Sequence, residues 1–149
     1  MSSQFISNSP EETFEFAEKL GRTLTGGELI LLSGGLGAGK TLFTKGVLAA
    51  LDFDIDEVTS PSFTVVNLYN AKFDVYHIDL WRLVESADAA VAVGLDEILE
   101  KANVVIIVEW AERLKQKDFE AKVIGVNIEG DGDEPRRIAV SVPPAAVGG

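Results

Sequence analysis

The sequence predicts an α/β fold in three layers, a small mixed sheet flanked by helices. Three observations predict it. Two short continuous apolar runs, "GELILLSG" (27–34) and "NVVIIVEW" (103–110), have the composition of strands buried on both faces. A glycine-rich loop leads the first of them directly into a helical pattern, and two later stretches alternate apolar and polar residues as hairpins do.

In chain order, "NSPEETFEFAEKLGRTL" sets Ser9 before Pro10 with Glu12 three residues on, then spaces Phe14, Phe16, Ala17 and Leu20 helically. That is a capping box with proline at the first helical position. The strand at 27–34, the glycine loop and a helix from about Lys40 to Leu51 make the first strand-loop-helix unit, with Phe43, Val47 and Ala50 on one side of the helix. "DFDIDEVTSPSF" reads as an irregular segment. "TVVNLYNAKFDVYHIDLW" reads as two antiparallel strands around a break at Asn70-Ala71-Lys72. "VESADAAVAVGLDEILEKA" reads as one helix, or two interrupted at Gly94. After the second buried strand, "EAKVIGVNIEG" and "RRIAVSV" form a closing hairpin turned by "DGDEP". The expectation is one domain over 1–149, with 143–149 as a loose C-terminal tail.

At 149 residues the chain can bury one core but not comfortably two. No apolar run approaches the roughly 18 residues that span a bilayer, and the N-terminus lacks the basic start and apolar centre of a signal peptide. No membrane association is expected, and the location implied is cytoplasmic. The absence of cysteine excludes disulfides, thiolate metal sites and cysteine nucleophiles, and a lone His77 makes no histidine cluster. Twenty-four acidic against thirteen basic residues give a formal charge of -11, the wrong sign for a broad nucleic-acid surface. No strong direct nucleic-acid binding is expected of the chain alone.

Gly34-Gly35-Leu36-Gly37-Ala38-Gly39-Lys40-Thr41 meets every position of the pattern G-x-x-x-x-G-K-[ST]. A chance match in a chain of this length is roughly half a percent on average residue frequencies. A buried strand delivers the loop, glycines let backbone N–H groups converge on one anion, and the following helix adds its positive N-terminal end. Lys40 is placed to bridge β- and γ-phosphates and the Thr41 hydroxyl to ligate Mg2+. The fold class is accordingly P-loop NTPase-like.

A magnesium at Thr41 needs a carboxylate at the end of a neighbouring strand. Glu109 is there, following five β-branched residues, to touch the ion directly or through water. Asp79, in "VYHIDLWRL", is the second candidate: it either orients or deprotonates an attacking water, holds a metal-bound water, or is an exposed acid paired with Arg82. His77 lies on the same face and is expected to be a hydrogen-bonded packing residue. Ser60 or Thr59, in "TSPSF", either contacts the metal or γ-phosphate or belongs to an ordinary turn. Trp81 and Trp110 are core residues or partner contacts. Arg136 and Arg137 read better as a solvated strand than as nucleotide ligands.

Together, "GGLGAGKT", "TSPSFT", "HIDLWRL" and "VEWAER", in this order, resemble the TsaE (YjeE) family of small bacterial P-loop ATPases. The resemblance covers most of the chain. It implies Mg2+-dependent binding and hydrolysis of ATP, weak without partner proteins resembling TsaB and TsaD, in the formation of threonylcarbamoyladenosine on transfer RNA. It places the phosphate loop on Leu36, Gly37, Ala38, Gly39, Lys40 and Thr41, magnesium on Thr41 and Glu109, and the catalytically important aspartate on Asp79. Lys40 and Asp79 are thus the catalytic candidates, and Ser60 and Glu109 join the cofactor-binding set. The family's motif tryptophan falls on Trp110, and Ser9 to Glu12 become candidates for the adenine side. At Trp81 the chain departs from the tyrosine of the family pattern, which removes a hydroxyl and keeps an aromatic ring.

Two rivals fit less well. A small-molecule or nucleoside kinase of this loop type adds a lid with arginines, but beyond the loop helix the arginines are scattered at 82, 113, 136 and 137. A nucleotide-dependent switch module would show D-x-x-G and N-K-x-D elements, and "NAKFD" has the wrong spacing.

Overall fold

A computed structural model describes residues 2–35, 39–58, 66–80, 94–114, 119, 121–130 and 133–142. In chain order the elements are β1 (Ser2–Ser7), α1 (Pro10–Arg22), β2 (Glu28–Gly34), α2 (Lys40–Ala50), β3 (Val66–Asn70), β4 (Asp74–Asp79), α3 (Leu95–Leu99), β5 (Val104–Glu109), β6 (Lys122–Glu129) and β7 (Arg136–Ser141). Short 3-10 turns occupy Ile55–Glu57 and Ala111–Arg113.

The seven strands form one sheet in the order β1-β7-β6-β2-β5-β4-β3. β6, β2, β5 and β4 are parallel, while β3, β7 and β1 each pair antiparallel with their neighbours. The two continuous apolar runs are β2 and β5, the central pair. Every residue of β5 is buried, as a strand covered on both faces requires. Alternate residues feed two cores. Ile30, Leu32, Val105 and Ile107 face α1 and α2 with Phe43 and Val47, whereas Leu29, Ile106 and Val108 face α3 through Leu95 and Ile98. Helices on both sides of a mixed sheet give the expected three layers.

α1 starts as its capping box foretells. Ser9 Oγ accepts from the Glu12 N–H at 3.1 Å. The Glu12 carboxylate returns to the N–H of Asn8 at 2.9 Å, one residue before the cap. α1 and α2 meet backbone to backbone. A Cβ on Gly46 would lie 2.6 Å from the Phe14 carbonyl oxygen, and one on Gly21 would lie 2.8 Å from that of Val47.

β1 is an addition to the elements read from sequence. "SSQFIS" is short and its Ile6 is 50% exposed, so no apolar stripe announces it. Its strand conformation is set by the β7 ladder, from Ser2 opposite Ser141 to Ser7 opposite Arg136. On its inner side Phe5 stacks on Phe16 of α1, ring centroids 4.7 Å apart. The hairpin turn also lies one residue later than read, because Asn70 still pairs with Asp74. The tail at 143–149 and the segment preceding Gly94 lie outside the described residues.

Candidate functional site: a phosphate loop facing two strand ends

β2, β5 and β4 run parallel and finish at one edge of the sheet, so their carboxyl ends and the loops that follow are neighbours. The β4–β5 register sets Asp79 directly opposite Glu109. The β2–β5 register sets Leu32 opposite Glu109, two residues before the loop begins. The chain thereby gathers residues 34, 40, 41, 79 and 109 at one edge.

Gly34 ends β2 with φ 139, and a Cβ there would stand 2.2 Å from the Ile128 carbonyl oxygen. Only glycine lets the loop leave this close to β6. The Gly34 N–H donates to Glu112 Oε2 at 3.3 Å. Gly39 caps the other end with φ 108, and α2 starts at Lys40. Leu36, Gly37 and Ala38, between them, lie outside the described residues, as do Ser60, Thr59, Trp81 and Arg82.

Lys40 is buried, and its Nζ donates to the carbonyls of Gly34 and Gly35 at 2.8 Å each. The ammonium lies 3.9 Å from the centroid of the Trp110 ring. Burial pushes the Lys40 pKa below the ordinary lysine value, and the charges of Glu109, Glu112 and Asp79 oppose that shift. The Thr41 hydroxyl lies 3.4 and 3.5 Å from the two Glu109 oxygens. These are long for O–H···O bonds, so the hydroxyl and carboxylate face each other without closing tightly.

Glu109 is 3% exposed and its Oε2 is 2.5 Å from Nε2 of His77. His77 is itself fully buried, and among the described residues its Nδ1 has no hydrogen-bond partner. The expectation that His77 is a hydrogen-bonded packing residue holds, with Glu109 as the partner that sequence reading missed. The available signal was the shared face of His77 and Asp79. Once parallel pairing sets His77 opposite Ile107, its ring reaches along that face to Glu109. Asp79 is half-buried at the end of β4, and its negative charge acts on Lys40.

Beside the loop, Ser7 at the end of β1, Asn8, Ser9, Pro10 and Thr13 at the α1 start, with Gly39, Leu42, Asp133, Glu134 and Arg136, line a cavity of about 340 Å³. Arg136 thus stands in a cavity wall and donates to the Glu134 carbonyl at 2.5 Å. Arg137 is the solvated strand residue expected, 3.7 Å from Glu129.

A family model described as "Threonylcarbamoyl adenosine biosynthesis protein TsaE" matches residues 7–138. The chain belongs to the TsaE family. The tRNA threonylcarbamoyladenosine biosynthesis protein TsaE of Treponema pallidum is 33% identical over 135 residues, covering 90% of this chain and 98% of that one. Its counterpart in Rickettsia bellii is 35% identical over 137 residues, with 91% and 92% covered. Among solved structures, Bacillus subtilis YdiB superposes with a TM-score of 0.71 at 31% identity, covering 95% of this chain and 86% of YdiB. The TsaE family takes part in tRNA threonylcarbamoyladenosine biosynthesis, and the fold is that of P-loop proteins. No helix among the described residues is long and apolar enough to cross a membrane.

Proposed function

We propose that this chain is a Mg2+-dependent ATPase whose turnover serves a tRNA-modifying assembly with TsaB-like and TsaD-like partners. One observation carries the reading: Lys40 and Thr41 at the start of α2 face Glu109 and Asp79 at the ends of the next two parallel strands. The cavity at the α1 start, next to Gly39 and Leu42, gives the nucleoside end of ATP a place beside the loop. Ser9 and Pro10, candidates for the adenine side, are among its walls.

The donor set fits magnesium. Thr41 and Glu109 offer hard oxygen atoms, and among the described residues no group of three His, Cys, Asp or Glu forms a protein-only metal cage. Mg2+ takes one or two protein oxygens and completes its shell with water and phosphate. When bound, it neutralises charge that develops on the phosphates. Lys40 donates to the phosphate oxygens from a site that excludes much of the surrounding water. Thr41 and Glu109 hold the ion's side of the site, and the His77 ring keeps the Glu109 carboxylate in place. Asp79, half-buried opposite Glu109, accepts a hydrogen bond from the attacking water and orients it.

Phosphate release from ATP and from GTP, measured with and without TsaB-like and TsaD-like partners, tests the reading. ATP hydrolysis that rises when the partners are present, with no phosphorylated small acceptor, is expected. Transfer of the phosphoryl group to a metabolite would replace the ATPase by a kinase.

A further inference from the structure

Consecutive residues of a strand point to opposite faces, so Glu109 and its successor should not reach the same loop. They do. Glu109 faces Thr41, and Trp110 lays its ring on Lys40. The backbone of Trp110 explains this: φ 61 and ψ 43 place it in the left-handed region, which a bulky L residue adopts only when its surroundings hold it there. Trp110 stays packed against the core of Val108 and Leu114 on the face opposite Glu109, and the left-handed turn at the strand end brings its ring to Lys40 while Glu109 faces Thr41.

The ammonium of Lys40 has three N–H donors. The carbonyls of Gly34 and Gly35 each accept at 2.8 Å, and the indole face covers a further side at 3.9 Å. The face of an indole carries negative electrostatic potential, which replaces part of the hydration lost by a buried cation. We infer that Trp110 is a positioning residue for Lys40: its ring face and the two loop carbonyls fix the ammonium so that its remaining donor is directed at phosphate. The inference rests on the proposed nucleotide reading of the loop. A ring that merely packs would be replaceable by any apolar side chain of similar bulk. A ring that positions a cation is replaceable only by another aromatic.

The test compares wild type, Lys40→Ala, Trp110→Phe and Trp110→Leu as full chains with Mg2+, using the Kd of a fluorescent ATP analogue. Trp110→Leu is expected to weaken binding about 3- to 30-fold, and Trp110→Phe to stay within about 3-fold of wild type. Equal affinities for the Phe and Leu variants, whether intact or reduced, overturn the inference. Should the Leu variant fold poorly, graded fluorination of Trp110 in a Trp81→Phe background alters ring charge with little change of shape. Log Kd is expected to rise with each added fluorine, and a flat series overturns the positioning role. Wild-type chain that binds no analogue, or Lys40→Ala that binds like wild type, defeats the nucleotide reading and the inference with it. Intact wild-type binding with an insensitive Trp110 defeats the inference alone.

Discussion

β2, β5 and β4 run parallel and bring Gly34, Glu109 and Asp79 to one edge, whereas β1 and β7, antiparallel to each other, meet that edge at Ser7 and Arg136, in the wall of the cavity beside the loop. The difference is one of topology before chemistry. Parallel neighbours end together, so residues 34, 79 and 109 become adjacent without any long-range adjustment. An antiparallel neighbour ends where the next begins, and a hairpin occupies the position. At the loop itself the β6–β7–β1 half acts through backbone, because the Ile128 carbonyl lies beneath Gly34 and forbids any side chain there, while Ser7 and Arg136 of that half line the neighbouring cavity. Damage at Glu109 and Asp79 should appear in turnover, and damage at the Gly34–Ile128 contact in stability.

The largest effect is expected from Glu109→Gln, which keeps shape and removes charge. ATP turnover should fall about 100- to 1000-fold, read as phosphate release across a magnesium titration. Turnover that stays at wild-type magnesium dependence would remove Glu109 from the metal side. Asp79→Asn should lower turnover about 100-fold while nucleotide affinity is kept, separating water placement from binding. Gly34→Ala crosses the two halves. It collides with the Ile128 carbonyl and should cost about 2–4 kcal/mol, read by denaturant unfolding. A variant as stable as wild type would show that the β2–β6 contact yields.

A pH titration has opposite signs in the two readouts. Burial sets the folded pKa of Lys40 below the ordinary 10.5, so between the two values the unfolded chain holds a proton the folded chain has shed. The stability cost of Lys40 is therefore full below its folded pKa and is relieved as pH rises through it. Nucleotide affinity should fall over the same alkaline window as the ammonium is lost. The difference between wild-type and Lys40→Met melting curves isolates the first effect, and analogue binding reads the second. The smallest change is expected at Arg137→Ala in the scaffold half, whose exposed pairing with Glu129 should be worth about 0–0.5 kcal/mol in unfolding experiments.

The loop ends, α2, β2, β5 and the placement of Glu109 were legible because each depends on local pattern: an apolar run, a glycine series, a strand closed by an acid. β1 was not, because its strand conformation comes from β7, whose residues lie 129 (Ser7 to Arg136) to 139 (Ser2 to Ser141) positions away along the chain but adjacent in the sheet. The His77–Glu109 pair needed the β4–β5 register, which no local pattern contains. Trp110 was ambiguous between core and surface because the sequence does not display its left-handed turn. Its half-buried ring packs against the core of Val108 and Leu114 and also lies on Lys40.

The glycine contact between α1 and α2 has a mechanical meaning. The start of α1 lines the cavity beside the loop, and the start of α2 carries Lys40 and Thr41. With backbone pressed on backbone at Gly21 and Gly46, there is no cushion of side chains whose rotamers could absorb a shift between the helices. The two helices form the fixed frame of a caliper, and a ligand reaching from cavity to loop is measured for length against a gap that cannot readily be reset.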